Sequence, residues 1–174
     1  KDITKDLEKL TPVKSVTTIL NVPLLLSSKK SLADILVGVP TVDDNIIEDS
    51  LIKEEFISSP LYKNNLVSED FKTTAILINL KENETLLELR EKKQRYQNIL
   101  EERNLNDREL YNFNLVKQDI TKERDKLRKI QNELILNVRN IVSEYRQHGE
   151  LYLGGIPMIA NDVVAYVKND LKVF

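Results

Sequence analysis

The chain has one histidine, His148, and no cysteine. A transition-metal site therefore lacks a ligand set, and no cysteine nucleophile exists. His148 stands beside Gly149 at an expected helix end, where a cation complements the helix dipole. Carboxylates occur as adjacent pairs: Asp43-Asp44, Glu54-Glu55, Glu69-Asp70 and Glu101-Glu102. None has the spacing and central glycine of a calcium loop, and neighbours on a helix point in different directions. These pairs read as solvated surface. No serine lies in a Gly-x-Ser-x-Gly elbow, and Gly154-Gly155 lacks the spacing of a phosphate-binding loop. The sequence thus assigns no catalytic residue, no metal ligand and no cofactor, and it reads as a non-enzyme.

With 174 residues the chain can bury a core as one domain carrying a long insertion. Its 26 basic and 28 acidic residues give a net charge of -2, and no basic stripe is interleaved with aromatics, so nucleic acid is not an expected partner. No apolar run approaches the ~20 residues of a membrane span, and no signal peptide is expected in this stretch. The chain opens on Lys1-Asp2-Ile3, and its last helical pattern reaches Val173-Phe174 without a cap or glycine. It is therefore expected to be a piece of a larger protein.

Among the elements that must position any site, residues 2–10 show helical spacing that Thr11-Pro12 stops, and residues 13–20 read as a strand. Leu24-Leu25-Leu26 is an apolar run in an expected loop. Ser31 to Asp34 resembles a capping box for a short helix that Gly38 ends. Asp43-Asp44-Asn45 offers caps for a helix through Ile47, Leu51, Glu55 and Phe56, closed by Ser58-Ser59-Pro60. Residues 62–67 and 71–81 flank Ser68-Glu69-Asp70 as an expected β-hairpin, with Thr74, Ile76, Ile78 and Leu80 on one face.

From Glu82 to Gly149 neither proline nor a further glycine intervenes. Leu86, Leu89, Tyr96 and Leu100 fall on a heptad that Lys93 interrupts. Asn106 with Glu109 offers a second cap, followed by Phe113, Val116, Ile120, Leu127, Ile130 and Leu134. This predicts an antiparallel helical hairpin with a longer second arm of ~60 Å. Lys93 and Glu123 break the seam, which favours a solvated structural hairpin over a docking arm. Next, residues 150–153 read as a strand. Gly154 and Gly155 then make a turn into a helix opened by Pro157. That helix carries Ile159, Val163, Tyr166, Val167 and Leu171 on a side expected to pack on the sheet, with Lys168 and Lys172 wet.

Leu151-Tyr152-Leu153-Gly154-Gly155-Ile156-Pro157-Met158-Ile159-Ala160, followed by the helix with Asn161-Asp162 and Lys168-Asn169-Asp170-Leu171, resembles the end of the first large extracytoplasmic loop of RND-superfamily exporters. The resemblance is to the hydrophobe/amphiphile branch related to the mycobacterial large membrane proteins. Residues 15–25 and 59–80 agree with it in order, so the likeness covers most of the chain apart from the charged middle.

The order of elements suits an α+β sandwich with helices on one face of a mixed sheet, and the resemblance implies the ferredoxin-like, split βαβ porter architecture for it. Residues 1–81 and 148–174 would form the porter core, and 82–147 the inserted hairpin, its C-terminal part packed on the core. It further implies a bacterial inner-membrane protein driven by proton flow, with this segment facing the periplasm. Its implied partners are the remainder of the same protein, including a second porter domain, further copies in a homo-oligomer, and a hydrophobic or lipid-like substrate. Leu24, Leu25, Leu26 and Leu36 either line the substrate path or are buried under their loop, the commoner fate of such residues. The alternative from another class is a periplasmic adaptor or structural domain that docks through its coiled-coil hairpin.

Overall fold

The computed structural model describes residues 1–27 and 38–173, the side chains at 160, 161, 165, 168, 169 and 171–173 excepted. The expected helix at Ser31–Asp34 and Leu36 lie outside the described residues. The fold is mixed α+β and mostly helical, and the chain divides into two compact units, Lys1–Leu80 and Lys81–Phe174.

The first unit begins with helix α1 (Asp2–Glu8) and strand β1 (Val13–Thr17). β1 stops there because Asn21 turns the chain back: its Oδ1 accepts the Thr18 N–H at 2.7 Å, and its Nδ2 donates to the Val16 carbonyl at 2.7 Å. The helix expected from Asp43 onward is split. A 3₁₀ turn (Val42–Asp44) ends at Asn45 with φ 54°, and helix α2 (Asp49–Ser58) follows. A left-handed residue cannot continue a right-handed helix. Strand β2 (Leu77–Leu80) pairs antiparallel with β1, Val16 opposite Ile78 and Thr17 opposite Leu77. The register slips between Val13 and Ser15, so Val13 and Val16 are both buried despite their odd spacing.

Among the described residues these two strands are the whole sheet, and it is antiparallel rather than mixed. The expected hairpin forms no paired strands. Residues 62–67 coil instead, because Ser59 O accepts the N–H groups of Tyr62 and Lys63 while Tyr62 O accepts those of Asn65, Leu66 and Val67. Donors used locally cannot serve a ladder. One antiparallel bridge, Val67 to Thr74, closes the loop. The core lies beneath it: Val22, Leu24, Ile52, Phe56, Tyr62, Leu66 and Val67.

The second unit is a helical hairpin and a further helix. Helix α3 (Glu84–Glu102) and helix α4 (Asp107–Tyr145) are each opened by an asparagine: Asn83 Oδ1 accepts the Leu86 N–H at 2.7 Å, and Asn106 Oδ1 that of Glu109 at 2.9 Å. Glu109 reaches back to the Asn106 N–H, completing the capping box. Tyr96 packs on Phe113 with centroids 5.7 Å apart. Glu123, expected to interrupt the seam, fits within it. Asn83 Nδ2 donates to its Oε1 at 3.1 Å, and Lys126 pairs with its other oxygen at 3.0 Å. Of the expected apolar seam, Leu100 and Ile130 are exposed.

Residues 150–154 form no strand. An extended segment becomes a strand only when a neighbour takes its N–H and C=O groups, and none among the described residues pairs with it. Helix α5 (Ile156–Val173) follows. It contacts α4, and Arg139 Nη2 grips both carboxylate oxygens of Asp162 at 2.8 and 2.9 Å. The side expected to be covered is open: Ile159, Val163, Tyr166 and Val167 are exposed.

Candidate functional site

The most elaborated polar constellation sits in the first unit, around Glu55. Helix α2 turns Ile52, Glu55 and Phe56 inward, Ser59 follows just past its end, and all four are buried. Glu55 is only 3% exposed, so its charge must be matched inside the protein. The loop after β1 supplies the match. The N–H groups of Leu25 and Leu26 donate to Glu55 Oε1 at 2.7 and 3.0 Å, and the Ser27 N–H donates to Oε2 at 2.8 Å. The Ser27 hydroxyl donates to the same oxygen. Three successive backbone N–H groups turned to one anion form a nest.

Burial by itself raises the Glu55 pKa. The Ser27 hydroxyl and the N–H groups of Leu26, Ser27 and Leu25 outweigh it, and the carboxyl rests below its ordinary value. Tyr62 fastens the loop from the other side by donating to the Pro23 carbonyl. Burial and the neighbouring Glu55 charge push its own phenol upward. The Tyr62 ring meets Phe56 edge-on at 5.3 Å.

This clamp fixes the leucine run residue by residue. Leu24 is wholly buried in the core, its N–H donating to the Pro40 carbonyl at 2.8 Å. Leu25 and Leu26 are 41% and 65% exposed. Glu55 overturns the expectation that every carboxylate pair is solvated surface. The other pairs do sit at the surface: Asp43 pairs with Lys1 and Glu69 with Lys63, both at 3.0 Å. Asp70 Oδ1 accepts from the Ser68 hydroxyl at 2.6 Å. The one available signal was that Glu55 shares the α2 face of Ile52 and Phe56.

At the second expected feature, Gly155 has φ +121°, a conformation that side-chain-bearing residues rarely adopt, whereas Gly154 lies outside that region. Pro157 stands in the first turn of α5, and the Gly155 carbonyl accepts the Ile159 N–H at 3.1 Å. His148 closes a 3₁₀ turn (Arg146–His148), its ring 6.2 Å from that of Tyr145. Among the described residues no group of three His, Cys, Asp or Glu side chains could hold a metal, and no helix is long and apolar enough to cross a membrane.

Comparison with family models, curated proteins and solved structures finds no match to this chain.

Proposed function

We propose that this chain is the extracytoplasmic porter domain of a proton-driven, RND-type exporter of hydrophobic or amphiphilic compounds, lipids among them. In this reading β1 and β2 belong to a ferredoxin-like, split βαβ porter sheet whose other strands lie beyond the described pair. The segment faces the periplasm from a bacterial inner-membrane protein, shapes the substrate path and relays movement to the membrane bundle. Alone it neither transports nor catalyses.

The reading rests on the likeness of three segments in order along the chain. The observation that carries it on the structural side is the Leu25–Leu26 shoulder. Two leucines are presented outward on a loop that a buried carboxylate holds still, which is what an apolar passenger needs along its path. The adaptor reading has its own support at the hairpin tip, where Leu110, Tyr111 and Leu115 are exposed.

Substituting both leucines by aspartate in the intact membrane protein distinguishes the two. Under the porter reading, protonophore-sensitive efflux of a hydrophobic dye falls several-fold at unchanged expression. Unchanged efflux, or a gene without membrane spans flanking this segment, overturns it. Tyr111→Ala abolishing a pull-down partner while efflux persists would favour the adaptor.

A further inference from the structure

Helix α5 is fastened to its unit at one point. Among the described residues, the polar link between α5 and α4 is the single ion pair in which Arg139 Nη2 donates to both carboxylate oxygens of Asp162. The two side chains keep 43% and 32% of their surface in solvent. No described side chain of α5 is buried: Met158 and Asp162, four residues apart, are half-buried, and the others are exposed. The remaining positions of the helix, Leu171 and Val173 excepted, are alanine, asparagine or lysine. Such residues bring little apolar area to a contact, and apolar area is what holds a packed helix in place.

The segment leading into α5 is built to turn. Residues 150–155 pair with no strand among the described residues. Gly155, the residue before the helix, has φ +121°, and without a Cβ it can rotate there at little steric cost. The first turn beyond it is stiff. Pro157 has a fixed φ suited to that position, and the Gly155 carbonyl accepts the Ile159 N–H at 3.1 Å. Rotation about the Gly155 φ leaves that bond intact, so bending gathers at one glycine and the helix moves as a rod.

We propose that α5 is a latched lever, swinging about Gly155 between a position docked on α4 and released positions, with the Arg139–Asp162 pair as the catch. An exposed ion pair biases such an equilibrium by about fivefold at the upper end of its range. Docked and released forms therefore coexist, and the catch sets their ratio. A helix seated by core burial behaves differently, because loss of one surface pair leaves it where it was. What the swing serves rests on the exporter reading, in which a releasable α5 relays movement to the membrane bundle. The catch is tested on this chain alone, so its failure leaves that reading standing, and a failure of efflux leaves the catch standing.

The chain has no native cysteine, so spin labels can be placed at Lys129→Cys in α4 and Tyr166→Cys in α5, both exposed positions. Double electron–electron resonance on the 174-residue chain should then give a narrow docked distance and a broad released one. Arg139→Ala and Asp162→Asn should each lower the docked-to-released ratio about fivefold. Salt at about 1 M, where the screening length falls to ~3 Å, should act in the same direction. Exchanging the pair, Arg139→Asp with Asp162→Arg, should restore the docked distance. The helical circular dichroism signal should stay constant throughout. A distance distribution indifferent to Arg139→Ala would show that packing, not the ion pair, seats the helix. Failure of the exchanged pair to restore docking, or loss of helical signal together with the docked distance, would equally overturn the proposal.

Discussion

The two units hold themselves together by opposite means. In the first, the decisive polar contacts are buried and join distant parts of the sequence. Glu55 binds residues 28 to 30 positions away, and Tyr62 reaches Pro23 across 39. In the second, most polar contacts are local and wet: Lys122 with Asp119, Arg128 with Asp125, Arg95 with Glu91. Exposed pairs three or four residues apart contribute only tenths of a kcal/mol and specify no tertiary partner. A buried carboxylate with four donors specifies its partner outright, because any other arrangement strands the charge. The hairpin is thus robust to loss of any one polar residue, and the first unit is not.

The strongest way to break that contrast is to open the first unit's core. Phe56→Ala should destabilise it by about 4 kcal/mol through the lost burial and the cavity left behind. Denaturant unfolding would measure this. Hydrogen-exchange protection in α3 and α4 should persist, and its simultaneous loss would mean that the two regions unfold as one. Next, Glu55→Ala should cost about 3 kcal/mol by orphaning the N–H groups of Leu25, Leu26 and Ser27, with Glu55→Gln costing less.

The pH dependence carries its own sign. The Glu55 carboxyl lies below its ordinary 4.5, so its contribution is complete above about pH 4.5 and is lost as pH falls through the native value. Acid titration of the Gln variant should lack that part of the slope. The Glu109 carboxyl, held at about 2 chiefly by Arg103 and the Asn106 N–H, loses its contribution in the same direction, read as fraying at the start of α4. The smallest expected effect is Asn106→Ala, about 1 kcal/mol for a lost N-cap. It should appear as faster amide exchange in the first turn of α4 and nowhere in the first unit.

The contrast also decides what the sequence reveals. The hairpin is legible because its determinants are local: Asn106 and Glu109 three apart, a glycine-free and proline-free run, Phe113 to Ile120 at heptad spacing. β1 is legible from its content of Val and Thr, though its end at Thr17 depends on the side chain of Asn21. The Glu55 clamp is hidden because an adjacent Glu54-Glu55 looks like solvated helix surface, and nothing within four residues announces that Leu25 to Ser27 will supply the donors. The strand expected at residues 150–153 shows the reverse error. A strand-like pattern is satisfied only by a neighbour, and neighbours are not written locally. The open side of α5 was legible as an amphipathic stripe, but not which side α4 would take.

The pairing of β1 with β2 has an architectural consequence. Val13 sits opposite Leu80, so the first and last strands of this unit are side by side, and everything between them is an excursion that returns to its starting point. A module whose entry and exit points touch can be spliced into a surface loop of another protein without stretching its host, the geometry that tolerated domain insertions share. Residues 13–80 are, in that sense, built to be carried.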